Sequence, residues 1–178
     1  IFFRCLYSSV DLKLSFENVD LAKVLPSIND LKIEGELNGG VRLVQKGERF
    51  QPTSNLRVSD LTLNQILLGQ LNVDVLGDQN LKSFSVKANI ENKNVELFLA
   101  EGIIDYENQQ TNVDVDVRFN QFDLKSLDGL GGEVISNIRG LASGTANIFG
   151  NISNPEINGR IFMDNAGLRV PYLNVDYN

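Results

Sequence analysis

Residue types that carry out acid–base or metal chemistry are scarce in this 178-residue chain. Histidine is absent, which excludes Ser-His-Asp and Cys-His catalysis, histidine metal ligation and histidine pH switches. The single cysteine, Cys5, can form neither an internal disulfide nor a zinc cluster, and its apolar neighbours are typical of a small core residue. The sequence therefore predicts a protein that is not an enzyme and that holds no cofactor and no metal.

Two polar motifs have simpler explanations than a binding site. The alternating acids Asp74, Asp114 and Asp116 could suggest calcium, but no Asp-x-Asp-x-Asp-Gly loop accompanies them, so we expect a solvated strand face. The Gly-Leu-Gly-Gly run at 129–132 lacks the Lys-Ser/Thr pair of a phosphate-binding loop, and it predicts a turn.

The overall composition is that of a folded protein with no attraction for nucleic acid. Hydrophobic residues make up 42% and charged residues 22% of the chain, and 16 basic against 23 acidic residues leave a net charge of −7. No apolar run approaches the roughly 20 residues of a membrane-spanning helix. The chain does not begin with Met, and 172–177 alternates like a strand in progress, so we expect a segment of a longer protein.

Apolar residues alternate with polar ones in many short segments that are separated by turn residues such as Asn38-Gly39-Gly40 and Asn92-Lys93-Asn94. This period of two predicts about twelve to fourteen antiparallel strands with one apolar and one polar face. Helical signal is confined to 21–25 after a capping Asp20 and to the similar segment 123–127.

The first third of the chain is loosely repeated in the last third. Residues 16–21 (Phe-Glu-Asn-Val-Asp-Leu) return at 119–124 (Phe-Asn-Gln-Phe-Asp-Leu), Gly35 and Gly39 return as Gly140 and Gly144, and Pro52 returns as Pro155, at offsets of 103 to 105 residues. We predict one unit over 1–178 that contains two loose repeats, at about 12–63 and 113–170. Such repetition is typical of arrays that act through one continuous surface.

An antiparallel sheet with one apolar face cannot leave that face in water. Because no second set of strands is available as a cover, we expect an elongated sheet that folds lengthwise with its apolar side inside. The predicted lining comprises Leu12, Leu14, Phe16, Ile33, Leu37, Val41, Leu43, Leu56, Val58, Leu61, Leu63, Leu71, Val73, Val75, Phe84, Val86, Ile90, Val95, Leu97, Leu99, Val113, Val115, Val117, Phe119, Ala146, Ile148, Ile161 and Met163.

The stretch 144–163 reads Gly-x-Ala-x-Ile-x-Gly and then Pro-x-Ile-x-Gly, and it is followed at 168–173 by Leu-Arg-Val-Pro-Tyr-Leu. It resembles the C-terminal region of the TamB/AsmA-like family of Gram-negative envelope proteins. The first repeat is a weaker copy that lacks the counterparts of Gly159 and of the Val-Pro-Tyr sequence. The resemblance covers the last third of the chain well.

The resemblance implies a β-taco, which is a long sheet folded into a trough with an apolar concave interior. It implies a periplasmic protein that conducts phospholipid acyl chains between the inner and outer membranes through a hydrophobic groove. It further implies an inner-membrane anchor outside this segment and, for the translocation and assembly module, a partner outer-membrane β-barrel insertase of the TamA/BamA type.

Two other functions stay open. One is a structural or adhesive β-solenoid, such as a surface passenger domain. Its core would be closed by tightly packed Val, Ile and Leu ladders. The other is an enzyme that acts on envelope polymers, which the absence of histidine and the even spread of carboxylates disfavour.

Overall fold

The computed structural model describes residues 9–25, 31–107, 109–128, 132 and 134–177. Strand makes up 79% of the structure. The ten strands are β1 (Ser9–Asp20), β2 (Ile33–Lys46), β3 (Arg49–Leu63), β4 (Ile66–Gly77), β5 (Ser83–Asn92), β6 (Val95–Glu107), β7 (Gln110–Asp123), β8 (Ser136–Asn151), β9 (Glu156–Val170) and β10 (Val175–Tyr177). One helical turn, α1 (Leu21–Val24), follows β1, and 3-10 turns follow β7 (Leu124–Leu127) and β9 (Pro171–Leu173).

All ten strands form a single antiparallel sheet in chain order, and the sheet is not closed. The prediction of an all-β antiparallel fold is therefore confirmed. The predicted strand number was too high for the described residues, because Asn38-Gly39-Gly40 lies inside β2 and is not a turn. Gly39 has φ 120°, and a Cβ there would lie 2.1 Å from the carbonyl oxygen of Asn55, so this glycine permits close approach of β3.

The two sequence repeats have the same strand pairing. In the first repeat Leu14 of β1 pairs with Val41 of β2. In the second repeat Val117 of β7 pairs with Ala146 of β8. Val117 follows Leu14 by 103 residues, and Ala146 follows Val41 by 105 residues. The same 105-residue offset relates the β2–β3 pairs to the β8–β9 pairs, as in Leu37 with Val58 and Ala142 with Met163. The Pro echo does not follow this register, because Pro52 lies inside β3 whereas Pro155 precedes β9.

Both repeats have the same bulge, with the same kind of hydrogen bond, where the first strand ends. The pairing shifts between Phe16 and Val19 in β1 and between Phe119 and Phe122 in β7. In each bulge a residue with positive φ donates its backbone N–H to a side chain of the next strand. Asn18 N–H donates to Asn38 Oδ1, and Gln121 N–H donates to Ser143 Oγ, both at 2.9 Å.

The helical prediction at these two points is confirmed. Asp20 Oδ1 accepts a hydrogen bond from Ala22 N–H at 3.1 Å and begins α1. Asp123 Oδ1 accepts one from Lys125 N–H at 2.9 Å and begins the 3-10 turn. Both caps satisfy a backbone donor that the first turn leaves free.

The register shifts of the sheet lie near one set of strand ends, which we call the bulged rim: the ends at Asp20, Ile33, Leu63, Ile66, Asn92, Val95, Asp123 and Ser136. A bulge bends a strand and increases its twist. The strands are regular over the remainder of their length, so their distortion is concentrated at this rim.

The bulged rim also holds the most compact packing. Leu68, in the bulge of β4, is 1% exposed and packs in a cluster with Leu21, Val58, Leu61, Ile90 and Phe122. Phe98, Phe119 and Phe122 have ring centroids 5.3 to 6.1 Å apart, within the range of favourable tilted aromatic pairs.

Asn64, in the turn between β3 and β4, joins three segments of the bulged rim. Its backbone N–H donates to Lys32 O at 2.9 Å, and its side-chain oxygen accepts from Lys32 N–H at 3.0 Å. Its amide Nδ2 donates to Ser126 O at 3.3 Å and also to Asp128 O. The β3–β4 turn is thereby tied to the start of β2 and to the 3-10 turn after β7.

The accessible surface is that of an open sheet. It measures 12655 Å² for 19.8 kDa, whereas a compact monomer of this mass exposes about 8,600 Å² by the usual scaling. The area is about half again that of a compact monomer, and apolar side chains such as Leu12 and Leu76 are mostly exposed on the sheet.

Candidate functional site

The candidate site is one face of the sheet, which we call the apolar face. Residues paired in register across antiparallel strands lie on the same face, so the pairing traces rows across the sheet. One row carries a single polar side chain: Leu14, Val41, Ser54, Val75, Val86, Gly102, Val115, Ile148 and Ile157. A second row is wholly apolar: Val19, Leu37, Val58, Leu71, Ile90, Phe98, Phe119, Gly144 and Ile161.

The residues predicted to line the groove lie on this face, with one exception. Leu97 reaches it through the bulge between Ile90 and Glu91, and it packs against the buried cluster. Leu99 pairs with Asn89 and with Arg118 and therefore lies on the polar face. The prediction for Leu99 was wrong because the bulge shifts the alternation of β6 by one residue.

The sequence reasoning missed several members of the apolar face. Phe98, Ala100 and Ile104 pair with Phe119, Val117 and Val113, and they occupy the positions that strict alternation through Leu99 would have assigned to the polar face. Leu68 and Phe122 were missed because each follows or occupies a bulge. The aromatic residue at Phe98 opposite the predicted Phe119 was a usable signal, since such cross-strand pairs stabilise sheets.

Exposure on the apolar face changes from the bulged rim outward. Leu68 and Leu61 are buried at the rim, whereas Val86 and Val115 in the middle of the sheet are half-buried. The same face is open on β1 and on the part of β9 that β10 does not pair with, where Leu14 is 58% and Ile157 69% exposed. The face is therefore most buried along the bulged rim and most exposed on β1 and in the first part of β9.

The opposite face, which we call the polar face, carries the ion pairs and amide ladders. Arg42 donates to both carboxylate oxygens of Asp11, at 2.9 and 2.6 Å, and these hydrogen bonds hold the pKa of Asp11 below its usual value and raise that of Arg42. Asn147 donates to Asp114 and Asp116 at 2.8 and 3.0 Å. These residues alternate with those of the apolar rows, so their charges lie on the polar side of the sheet.

Two depressions are bordered by charged and amide side chains of this face. One, of about 370 Å³, is lined by Glu101, Asp116, Arg118 and Asn147 and by the 5%-exposed Leu99. The other, of about 590 Å³, is lined by Lys13, Arg42, Asn55 and Asp74 among others. Neither depression runs along the predicted acyl groove, which follows the rows of the apolar face.

The described residues contain no cluster of three or more acidic, cysteine or histidine side chains that could hold a metal ion. No helix within the described ranges is both long and apolar enough to cross a membrane. Comparison with protein-family models, curated proteins and solved structures found no match to this chain.

Proposed function

We propose that this chain is a conduit for phospholipid acyl chains, which bind along the apolar face. The single observation that carries the proposal is the continuity of that face: the two apolar rows cross nine strands without a charged residue. Because neighbouring strands are about 4.8 Å apart, each row extends about 38 Å across the sheet.

The chemistry of the face suits a sliding ligand. Aliphatic and aromatic side chains offer no hydrogen bonds, so they attract hydrocarbon and do not recognise head groups. Each methylene removed from water contributes about 0.8 kcal/mol wherever along the face it lies. A chain can then move from one strand to the next without losing a specific contact.

The finer shape belongs to the same proposal. The exposed apolar area is covered by lipid if the sheet folds lengthwise into a trough, the β-taco of the TamB/AsmA-like family that the sequence resembles. By the same resemblance the protein acts in the Gram-negative periplasm, with its anchor in the inner membrane and an outer-membrane insertase of the TamA/BamA type as partner. It also assists outer-membrane protein assembly in this proposal.

The alternative of a structural or adhesive β-solenoid has less support. A closed core would bury its apolar ladders along their whole length, whereas Val86 and Val115 are only partly buried in the middle of the sheet. The strands are also joined as consecutive antiparallel hairpins, which differ from coils that stack in parallel.

The test is photo-crosslinking with matched neighbours. A photoreactive amino acid is placed at Val86 or Val115 on the apolar face and, as controls, at the adjacent Lys87 or Asp116 on the polar face. The chain is expressed in the periplasm of a Gram-negative host, irradiated and analysed for lipid adducts by mass spectrometry. We expect phospholipid adducts with mixed head groups at Val86 and Val115 alone.

Equal capture by both faces, or no capture at either, would overturn the conduit. Adducts with a single head-group class would contradict the idea that the face recognises only hydrocarbon. A Val73→Arg variant extends the test, because a charge in the adjacent row should reduce capture at Val86 while Lys87→Glu should not.

A further inference from the structure

We propose that the polar face of β4–β8 docks a segment of a partner protein in which apolar and basic residues alternate with a period of three. The docking surface is one row of residues, which we call the exposed row. It runs in register across five neighbouring strands: Leu76, Ser85, Ile103, Asp114 and Phe149. Each of these strands is paired on both sides, so the row lies inside the sheet and not at its edge. The inference does not depend on the proposed acyl path, which follows the opposite face.

Three large apolar side chains of the exposed row face solvent. Leu76 is 61%, Ile103 46% and Phe149 36% exposed. Single exposed apolar residues are ordinary on protein surfaces, but these three are aligned on every second strand. Because neighbouring strands are about 4.8 Å apart, the three side chains form ridges about 9.6 Å apart, with the shorter Ser85 and Asp114 in the gaps. Such regular ridges suit an extended segment with a repeating sequence.

The exposed row lies between two acidic rows of the polar face. In these three rows β4–β8 carry five carboxylates and one lysine, a net charge of −4: Asp74, Lys87, Glu101, Asp105, Asp114 and Asp116. The lysine ammonium lies 3.4 Å from Glu101 Oε2 and is therefore already paired. A surface of this charge repels nucleic acid and anionic membranes and attracts a cationic partner.

The depression of about 370 Å³ beside the exposed row can hold a basic side chain of that partner. Glu101 and Asp116, which line it, are directly opposite each other in β6 and β7. Like charges at opposed positions destabilise a sheet, so a lysine or arginine between them removes a repulsion and forms ion pairs. Arg118 also lines the depression, but it is paired with Glu96 at 3.4 Å. Leu99 offers an apolar contact to the methylene stem of the incoming side chain.

The spacing of the ridges selects the conformation of the segment. A polyproline II helix rises about 3.1 Å per residue with three residues per turn, so every third residue recurs after about 9.3 Å. An α-helix repeats its heptad positions after about 10.5 Å, which exceeds the ridge spacing. In the polyproline II form, residues i, i+3 and i+6 contact Leu76, Ile103 and Phe149. The residues between them point toward the acidic rows on both sides.

The probe is a fluorescent synthetic peptide of about twelve residues that repeats Leu-Pro-Lys, four turns of polyproline II. Its prolines prevent it from pairing with an edge of the sheet. Binding to the whole chain is measured by fluorescence anisotropy. The matched peptides repeat Leu-Pro-Glu, contain the same residues without the period of three, or form an α-helix with leucine and lysine at heptad spacing. We expect binding of the Leu-Pro-Lys peptide alone, and we expect added salt to weaken it.

Variants of the chain locate the binding. Ile103→Ser removes the middle ridge and should weaken binding about three- to tenfold, whereas Tyr106→Ser, at a similarly exposed position on the apolar face of the same strand, should not change it. Asp116→Asn should weaken binding about two- to fivefold, and Glu34→Gln near the bulged rim is its control. Circular dichroism verifies that each variant is folded.

Absence of Leu-Pro-Lys binding, equal binding of the Leu-Pro-Glu peptide, or equal losses at Ile103→Ser and Tyr106→Ser would overturn the proposal. Preferred binding of the α-helical peptide would overturn the polyproline II conformation. Sedimentation of the chain alone tests the other occupant, because self-association that Ile103→Ser abolishes would mean that a second copy covers the exposed row in place of a partner.

Discussion

Val115 and Val117 provide a direct measurement of how open the apolar face is. They lie two residues apart on β7 and point to the same face, but Val117 is 8% exposed between Ala100 and Ala146 while Val115 is half-buried between Gly102 and Ile148. Exchange of each for Asp places the same charge in two environments of one strand.

The expected costs differ severalfold. Val117→Asp loses about 1.5–3 kcal/mol of aliphatic burial and adds several kcal/mol for an unpaired buried carboxylate, so the free energy of unfolding should fall by at least about 4 kcal/mol. At Val115, which is only partly buried, less of the aliphatic term is lost and the carboxylate reaches water on the open side, so the fall should be about 1–2 kcal/mol.

Urea unfolding followed by circular dichroism measures both values, with Val115→Ala and Val117→Ala as controls for packing alone. If Val117→Asp does not fold, Val117→Thr and Val115→Thr replace the two Asp variants, and the loss in free energy of unfolding should again be larger at Val117. A loss at Val115→Asp as large as at Val117→Asp would show a sealed core and refute the open-face reasoning. A normal Val115→Asp fold with undiminished lipid capture would refute the conduit instead.

Three further outcomes test the rim and the sheet. Asn64→Ala should lower the free energy of unfolding by about 2–4 kcal/mol by urea titration, because its amide serves three segments of the rim; a loss under 1 kcal/mol would contradict this role. Gly39→Ala should destabilise far more than Gly150→Ala, since both have positive φ but only Gly39 has backbone within reach of a Cβ; equal losses would show that φ alone matters. Backbone N–H groups of Lys82 and Ser83 lower the pKa of Asp78, so its charge stabilises the fold above pH 3.8 and that contribution disappears as the pH falls through the lowered value. Acid titration of Asp78→Asn should therefore show a smaller loss below pH 4 than the parent chain, and parallel curves would refute the assignment.

The sequence predicted the sheet and the apolar face well because both depend on a local period of two. In β7 the alternation Val113-Val115-Val117-Phe119 is unbroken, and the structure places all four on one face. The two aspartate caps were also predictable, because a cap is a local hydrogen bond between residues two apart.

Prediction failed where a non-local contact decides the backbone. Leu99 changes face because an additional residue enters β6 opposite Glu91, and nothing in the alternation of β6 alone marks that insertion. Asn38-Gly39-Gly40 has the composition of a hairpin turn, yet the approach of Asn55 in the next strand requires a glycine inside β2. Bulges and close approaches are properties of strand pairs, so a single strand does not reveal them.

The two repeats share their backbone features but differ in most of the side chains that form the apolar face. The bulge, the N–H contact within it, the aspartate cap and the two positive-φ glycines recur in both units. Among the inward side chains Phe16 recurs as Phe119, but Leu37, Val41 and Leu56 correspond to the different residues Ala142, Ala146 and Ile161. A pocket that recognises one ligand by specific contacts would need the side chains to be repeated with the backbone. A surface that holds hydrocarbon through area alone needs only the backbone geometry and the absence of polar groups, since the free energy of burial follows the area and not the identity of the residue. This pattern is the reason to interpret the face as a path for acyl chains and not as two copies of one binding site.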